Sequence, residues 1–174
     1  MSQVITVGVA LAIPEPHASV LSGWRQRIGD LGARKIPPHV TLLPPTRFDL
    51  DRLDIVEKHL ELAASTVLPF TMKLSGTGTF RPVSRVVFVQ VSTGIAECEL
   101  LERAVRRYPI ERAVEYPYHP HVTVGHDVDD EGLDAAFDGL RDFGAQFHVD
   151  GFVMYAQDDR EAWHAHREFR LTGP

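Results

Sequence analysis

Two short segments decide how this chain is read: Pro38-His39-Val40-Thr41-Leu42 and Pro120-His121-Val122-Thr123-Val124. On an extended strand, residues i and i+2 point to the same face, so His39 and Thr41 share one side while Val40 and Leu42 share the other. The same alternation sets His121 and Thr123 against Val122 and Val124. The aliphatic side can pack on helices, which leaves an imidazole beside a hydroxyl on the opposite side. A proline before each histidine biases its predecessor toward extended backbone and marks where the strand begins.

The two segments are 82 positions apart, and the surrounding sequence shares that spacing. The same shift carries Val4 to Val86, Val7 to Val89, Val9 to Val91, Phe70 to Phe152 and Met72 to Met154. Apolar periodicity predicts strands over residues 4–11, 39–43 and 69–80, with helices over 17–31 and 49–65 between them. Pro44-Pro45 is expected to close the short second strand. The second half follows the same order: strands over 85–91, 119–125 and 147–155, helices over 95–108 and 132–143, and a last arm over 163–171. The fold class is therefore α+β, a duplicated strand-helix-strand-helix-strand unit repeated over about 4–79 and 86–156. If the units meet about a pseudo-twofold axis, the two His/Thr pairs face each other across a cleft.

Composition bounds the rest. A chain of 174 residues fits one domain at roughly 100–200 residues each. With 44% hydrophobic and 24% charged residues it is neither disordered nor fibrous. A net charge of −6 argues against a long non-specific nucleic-acid groove, since neutralising many phosphates takes a surplus of Lys and Arg. It leaves room for a small phosphorylated ligand. A single cysteine, Cys98, excludes an internal disulfide or a cysteine zinc cluster and suits a reducing compartment. The apolar stretch 4–13 has no Lys or Arg before it and Pro14-Glu15-Pro16 after it. It reads as a buried strand, not a signal peptide, and is short of the ~20 residues that span a bilayer. A soluble, cytoplasmic monomer without membrane contact is the expectation.

Two imidazoles on opposite sides of a small anion suit acid–base chemistry, because each titrates near neutrality and one can accept a proton while the other donates. Two threonine hydroxyls can donate hydrogen bonds to phosphate oxygens where charge accumulates. The chemistry calls for no metal and no cofactor.

With these motifs the sequence resembles the 2H phosphoesterases, whose members include the bacterial enzymes called RNA 2′,3′-cyclic phosphodiesterases or 2′-5′ RNA ligases. The resemblance covers essentially the whole chain: His-x-Thr-x twice, about eighty residues apart, in a duplicated α+β chain of this length. It implies a single bilobal domain over residues 1–174, LigT-like, with a concave sheet surface between the lobes. It also implies hydrolysis of a cyclic phosphodiester to a phosphomonoester, on short RNA with a 2′,3′-cyclic phosphate end or on small nucleotides. By that resemblance His39 is the proton donor, His121 the proton acceptor, and Thr41 and Thr123 hold the phosphate. In the RNA cyclic phosphodiesterase branch an Arg often follows the second motif by two residues, where this chain has Gly125-His126. His126 is thus a candidate ligand contact.

Tyr118 is the favoured base-stacking candidate among Phe48, Tyr116, Tyr118 and Tyr155. His119 is expected to stand behind His121 or at the surface. Arg81 and Arg85 read as a solvated turn, Cys98 as structural, and Asp129-Asp130-Glu131 as a helix start. His164 and His166 invite a metal reading with His119, His121 or His126, but no carboxylate or cysteine stands at a ligand spacing. Two alternatives stay open: a nucleotide-binding module that uses the same cleft without turnover, and a metal-dependent hydrolase.

Overall fold

A computed structural model describes residues 3–174. Its strands are β1 (Val4–Ala12), β2 (His39–Asp49), β3 (Phe70–Thr79), β4 (Val86–Thr93), β5 (His121–His126), β6 (Gly144–Val149), β7 (Gly151–Gln157) and β8 (Trp163–Arg170). Four helices, α1 (His17–Arg27), α2 (Leu53–Ala64), α3 (Ile95–Val105) and α4 (Asp130–Gly139), lie between them. The strands form one sheet in the order β6-β3-β4-β5-β2-β1-β7-β8, with every neighbouring pair antiparallel. The fold is α+β, as the patterning predicts.

The sheet divides at its centre, where β2 and β5 are joined through Val40 and Val122. On one side lie β2, β1, β7 and β8; on the other β5, β4, β3 and β6. Each half-sheet therefore borrows strands from both halves of the sequence: β3 leaves the first repeat to pair with β4, and β7 leaves the second to pair with β1. The helices cross as well, with α1 packing on β5 and α3 on β2. Gly139, at the end of α4, makes room for the Trp24 indole of α1, which a Cβ there would overlap. Cutting the chain between the repeats would leave neither half-sheet complete.

One face of the sheet forms the core. Val7, Val9, Leu11, Val40, Leu42, Val87, Val89, Val122 and Val124, all fully buried, meet Leu21, Val56, Leu60, Leu101 and Leu133 from the helices. Each such side chain contributes about 1.5–3 kcal/mol relative to exposure. The strict alternation of the motif strands thus anchors Val40/Leu42 and Val122/Val124 inward and fixes the histidines and threonines outward.

Three expectations need correcting. The second strand does not end at Pro44-Pro45 but runs to Asp49, because the two prolines fall in a bulge: Val7 faces Thr46 and Val9 faces Leu43, so both prolines stand against Gly8 alone. An unpaired bulge is where a strand tolerates residues without an N–H. The predicted strand 147–155 is two strands, β6 and β7, which break at Asp150 and pair on opposite flanks of the sheet, with β3 and with β1. A one-residue link between distant positions in the strand order requires the sheet to curl. Finally, the single spacing of 82 holds only for the motif strands. Ala12 lies opposite His39 and Gln90 opposite His121, which aligns the first strands at a shift of 78. Ala10 pairs with Val153 and Phe88 with Gly78, which aligns the third strands at 75. Repeated valines matched at 82 because strands reuse β-branched residues.

Candidate active site

The join between β2 and β5 places the two motifs side by side. Antiparallel pairing through Val40 and Val122 turns those valines to the core and the residues on either side of them to the opposite face. Continued one step each way, the register sets Thr41 beside His121 and His39 beside Thr123. The four polar side chains thus occupy the corners of a quadrilateral with the imidazoles on one diagonal. Sheet geometry separates the backbone positions at the ends of such a diagonal by about 7–8 Å.

Both rings are held in the same way. Nδ1 of His39 donates to the Pro37 carbonyl at 2.8 Å, and Nδ1 of His121 donates to the His119 carbonyl at 2.6 Å. Each acceptor lies two residues before its histidine. With Nδ1 committed to backbone, the other ring nitrogen, Nε2, is an acceptor in the neutral ring and a donor when protonated. Burial lowers the pKa of both below the ordinary 6.5 and outweighs the carbonyl bonds that favour the charged form. For His39 the Arg25 and His121 charges add to the lowering, and for His121 the neighbouring His119 does. The Tyr118 hydroxyl donates to the Thr41 carbonyl at 2.8 Å, which ties the first motif to the loop leading into the second.

The two sides of the quadrilateral differ in the space they offer. Ala10 stands opposite Thr41, whereas the corresponding place opposite Thr123 is Phe88. Phe88 and Phe80 close around His121, with ring centroids at 5.2 and 5.0 Å. Gly78 admits the Phe88 ring, since a Cβ there would lie 2.6 Å from it. On the His39 side, small Gly8 and Ala10 leave a cavity of about 470 Å³ whose wall includes His39, Thr41, Thr123, His126, Tyr155 and Trp163. Ala10, Val153, Tyr155 and Trp163 form an apolar cluster there, separate from the main core. The 31–36 loop closes the rim: the Trp163 amide donates to the Lys35 carbonyl at 2.9 Å, and Lys35 Nζ pairs with Glu161 at 2.6 Å.

His39, Thr41, Thr123, His126 and Tyr155 thus line one cavity, whereas His121 is not part of its wall and stands among the phenylalanines. Tyr118 does not line the cavity; it packs on the core behind Thr41. Phe48 is in the core and Tyr116 is exposed. His126 lies 3.2 Å from the Asp127 carboxylate. Arg81 and Arg85 pair with Asp130 and Asp134 at the start of α4, where the Asp129 side chain accepts from the Gly132 amide. His164 and His166 are engaged by Asp158 and Glu57. Among the described residues no three His, Cys, Asp or Glu side chains are grouped as a metal site. Burial pushes the Cys98 thiol up to about 12, which keeps it protonated and unreactive. Trp163 and Arg25 are cavity residues that the sequence does not single out: Trp163 because its hairpin returns from the far end of the chain, and Arg25 because it lies in a helix as an ordinary polar residue.

A family model described as the 2′-5′ RNA ligase superfamily matches residues 13–161. The chain belongs to this superfamily. A relative in Halalkalibacterium halodurans, whose name assigns it provisionally to the phosphoesterases, is 30% identical over 166 residues, 94% of this chain and 96% of that protein. A similarly named protein of Bacillus cytotoxicus is 28% identical over 138 residues, 78% and 80% of the two chains. Among solved structures, E. coli LigT in apo form superposes with a TM-score of 0.69 at 20% identity, over 98% of this chain and 99% of that one. LigT has also been crystallised with 3′-AMP, at a TM-score of 0.65 and 19% identity over the same shares. Superfamily membership supports a phosphoesterase activity for this chain. Among the described residues, no helix of this superfamily member is long and apolar enough to cross a membrane.

Proposed function

We propose that this superfamily member hydrolyses 2′,3′-cyclic phosphodiesters, on small nucleotides or short RNA ends, by two-histidine acid–base catalysis without a metal. The observation that carries the reading is the meeting of two His-x-Thr strands at the Val40–Val122 pair, which turns four side chains to one face. The cyclic phosphate sits between the diagonal imidazoles. Neutral His121 takes a proton from water through Nε2 as the water oxygen bonds to phosphorus. Protonated His39 gives its Nε2 proton to the ring oxygen whose P–O bond breaks, leaving a phosphomonoester and a free hydroxyl. The Thr41 and Thr123 hydroxyls donate to non-bridging oxygens as their charge grows. One turnover leaves the proton on His121 and none on His39, and exchange with solvent restores the pair.

The donor and acceptor roles follow the family resemblance. Burial lowers both pKa values in the free protein, and a bound phosphate anion favours the charged ring the donor must carry. The nucleoside fits the His39 side, where Gly8 and Ala10 open the cavity against Trp163 and Tyr155; on the other side Phe80 and Phe88 fill the space.

Phosphorus NMR of a 2′,3′-cyclic nucleotide incubated with the protein tests this reading. Ring opening to a monoester is expected, with turnover lost in His39→Ala and His121→Ala while both variants still bind the product nucleotide. An unchanged cyclic resonance in the presence of tight binding would instead identify a nucleotide-binding module.

A further inference from the structure

The cavity wall holds a charged group that the two-histidine scheme does not use. Arg25, on α1, is only 5% exposed and lines the cavity with His39, Thr41 and Thr123. Its Nε donates to Oδ2 of Asp30 at 2.9 Å, and Asp30, 6% exposed, spends Oδ1 on the Gly32 amide at 2.8 Å. Each carboxylate oxygen thus accepts one bond, one fixing the arginine and the other the backbone beside it. Gly32 leaves room for this packing: a Cβ there would lie 2.5 Å from the guanidinium Nη2. The two Nη groups make no hydrogen bond to protein among the described residues, yet neither is sealed off as a buried unpartnered atom. Besides this pair, the described residues bury one other charged side chain, Glu102, which is engaged by Arg106 far from the cavity.

A guanidinium is costly to bury, and one carboxylate on Nε leaves the outer edge of its fork without an acceptor. That edge matches two oxygens of a phosphate. The other cation of the wall, Lys35, is already satisfied by Glu161. We infer that Arg25 is the anion anchor of this site, its Nη groups binding non-bridging oxygens of a phosphate ester held against Thr41 and Thr123, and that Asp30 is its positioning residue. The inference deepens the proposed function by naming the group that carries the phosphate charge, since two hydroxyls and two rings of lowered basicity offer little positive charge to a phosphate approaching the free protein.

The test is binding of inorganic phosphate and of a nucleoside monophosphate, by calorimetry, to the intact protein and two variants. Arg25→Met with Asp30→Asn removes the pair without stranding either charge and keeps an acceptor for the Gly32 amide. Arg25→Lys keeps the charge but loses the fork. Loss of hydrogen bonds to a charged group predicts phosphate affinity lower by roughly ten- to hundredfold in the double variant, and by a smaller factor in Arg25→Lys. A folded double variant that binds phosphate within twofold of the parent overturns the inference, as does a parent that binds no phosphate. If the double variant does not fold, Arg25→Lys decides, with unchanged affinity again overturning it. Arginine-dependent phosphate binding without hydrolysis of a cyclic diester would leave the anchor standing and remove the catalytic reading. Hydrolysis with arginine-independent binding would do the reverse.

Discussion

Replacing Trp163 by alanine separates recognition of a base from handling of a phosphate. The indole stands over Gly8, whose added Cβ would meet it at 3.3 Å, and shares the apolar cluster of Ala10, Val153 and Tyr155. It touches neither motif histidine through any hydrogen bond, and its backbone amide, which bonds the Lys35 carbonyl, survives the substitution. Base–aromatic stacking is worth about 1–3 kcal/mol per base. At 1.4 kcal/mol per tenfold, that is a rise of roughly 5- to 150-fold in KM for a cyclic nucleotide. A small cyclic phosphodiester without a base gains nothing from the indole and should keep its kcat/KM within about twofold. The assay is steady-state hydrolysis of both substrates by parent and variant, with thermal melts to confirm folding. Equal losses on both substrates would mean that the substitution deforms the catalytic face. No loss on either would place the nucleoside elsewhere and refute the assignment of this cavity to the base.

Other consequences follow from the same geometry. Burial lowers both imidazole pKa values below 6.5, so kcat/KM, which reports the free enzyme, should be bell-shaped with its maximum on the acid side of pH 6.5; a rate still climbing through pH 8 would contradict this. Thr41→Ala and Thr123→Ala each remove a donor to a charged oxygen, and each should lower kcat by roughly 10- to 100-fold with little change in melting temperature. Tyr118→Phe removes the hydrogen bond to the Thr41 carbonyl and should cost about 0.5–1.5 kcal/mol of stability by chemical denaturation; since the hydroxyl is not on the cavity wall, KM should hold.

The part of the candidate site that lies on strands is legible in the sequence, and the part that depends on how strands are exchanged is not. His39, Thr41, His121 and Thr123 were legible because period-two alternation fixes their face whatever the partner strand, and because each motif starts at a proline. The cavity wall was not legible in the same way. Tyr118 is near the second motif in sequence, which favours it as a stacking residue, but its ring packs on the core behind Thr41. Trp163 is 39 residues beyond Val124, the end of the second motif, and reaches the cavity because β7 leaves its own repeat to pair with β1, carrying β8 with it. Arg25 carries no local signal either; its role emerges only where α1 meets the 31–36 loop and Asp30 holds the guanidinium. Pro44-Pro45 misled for a related reason, because a bulge opposite one glycine cannot be seen without the partner strand. The spacing of 82 worked at the motifs and failed at the flanking strands, where alternating valines match at several registers.

Two imidazoles acting in one step on one phosphate are tested most directly by a double-mutant cycle on kcat/KM with His39→Ala, His121→Ala and the pair. If the rings act as one acid–base unit, each single variant should lose on the order of 10²–10⁴ in rate, and the double variant should be scarcely worse than the poorer single one. Losses that multiply would show two histidines working independently, and full activity in either single variant would end the two-imidazole mechanism.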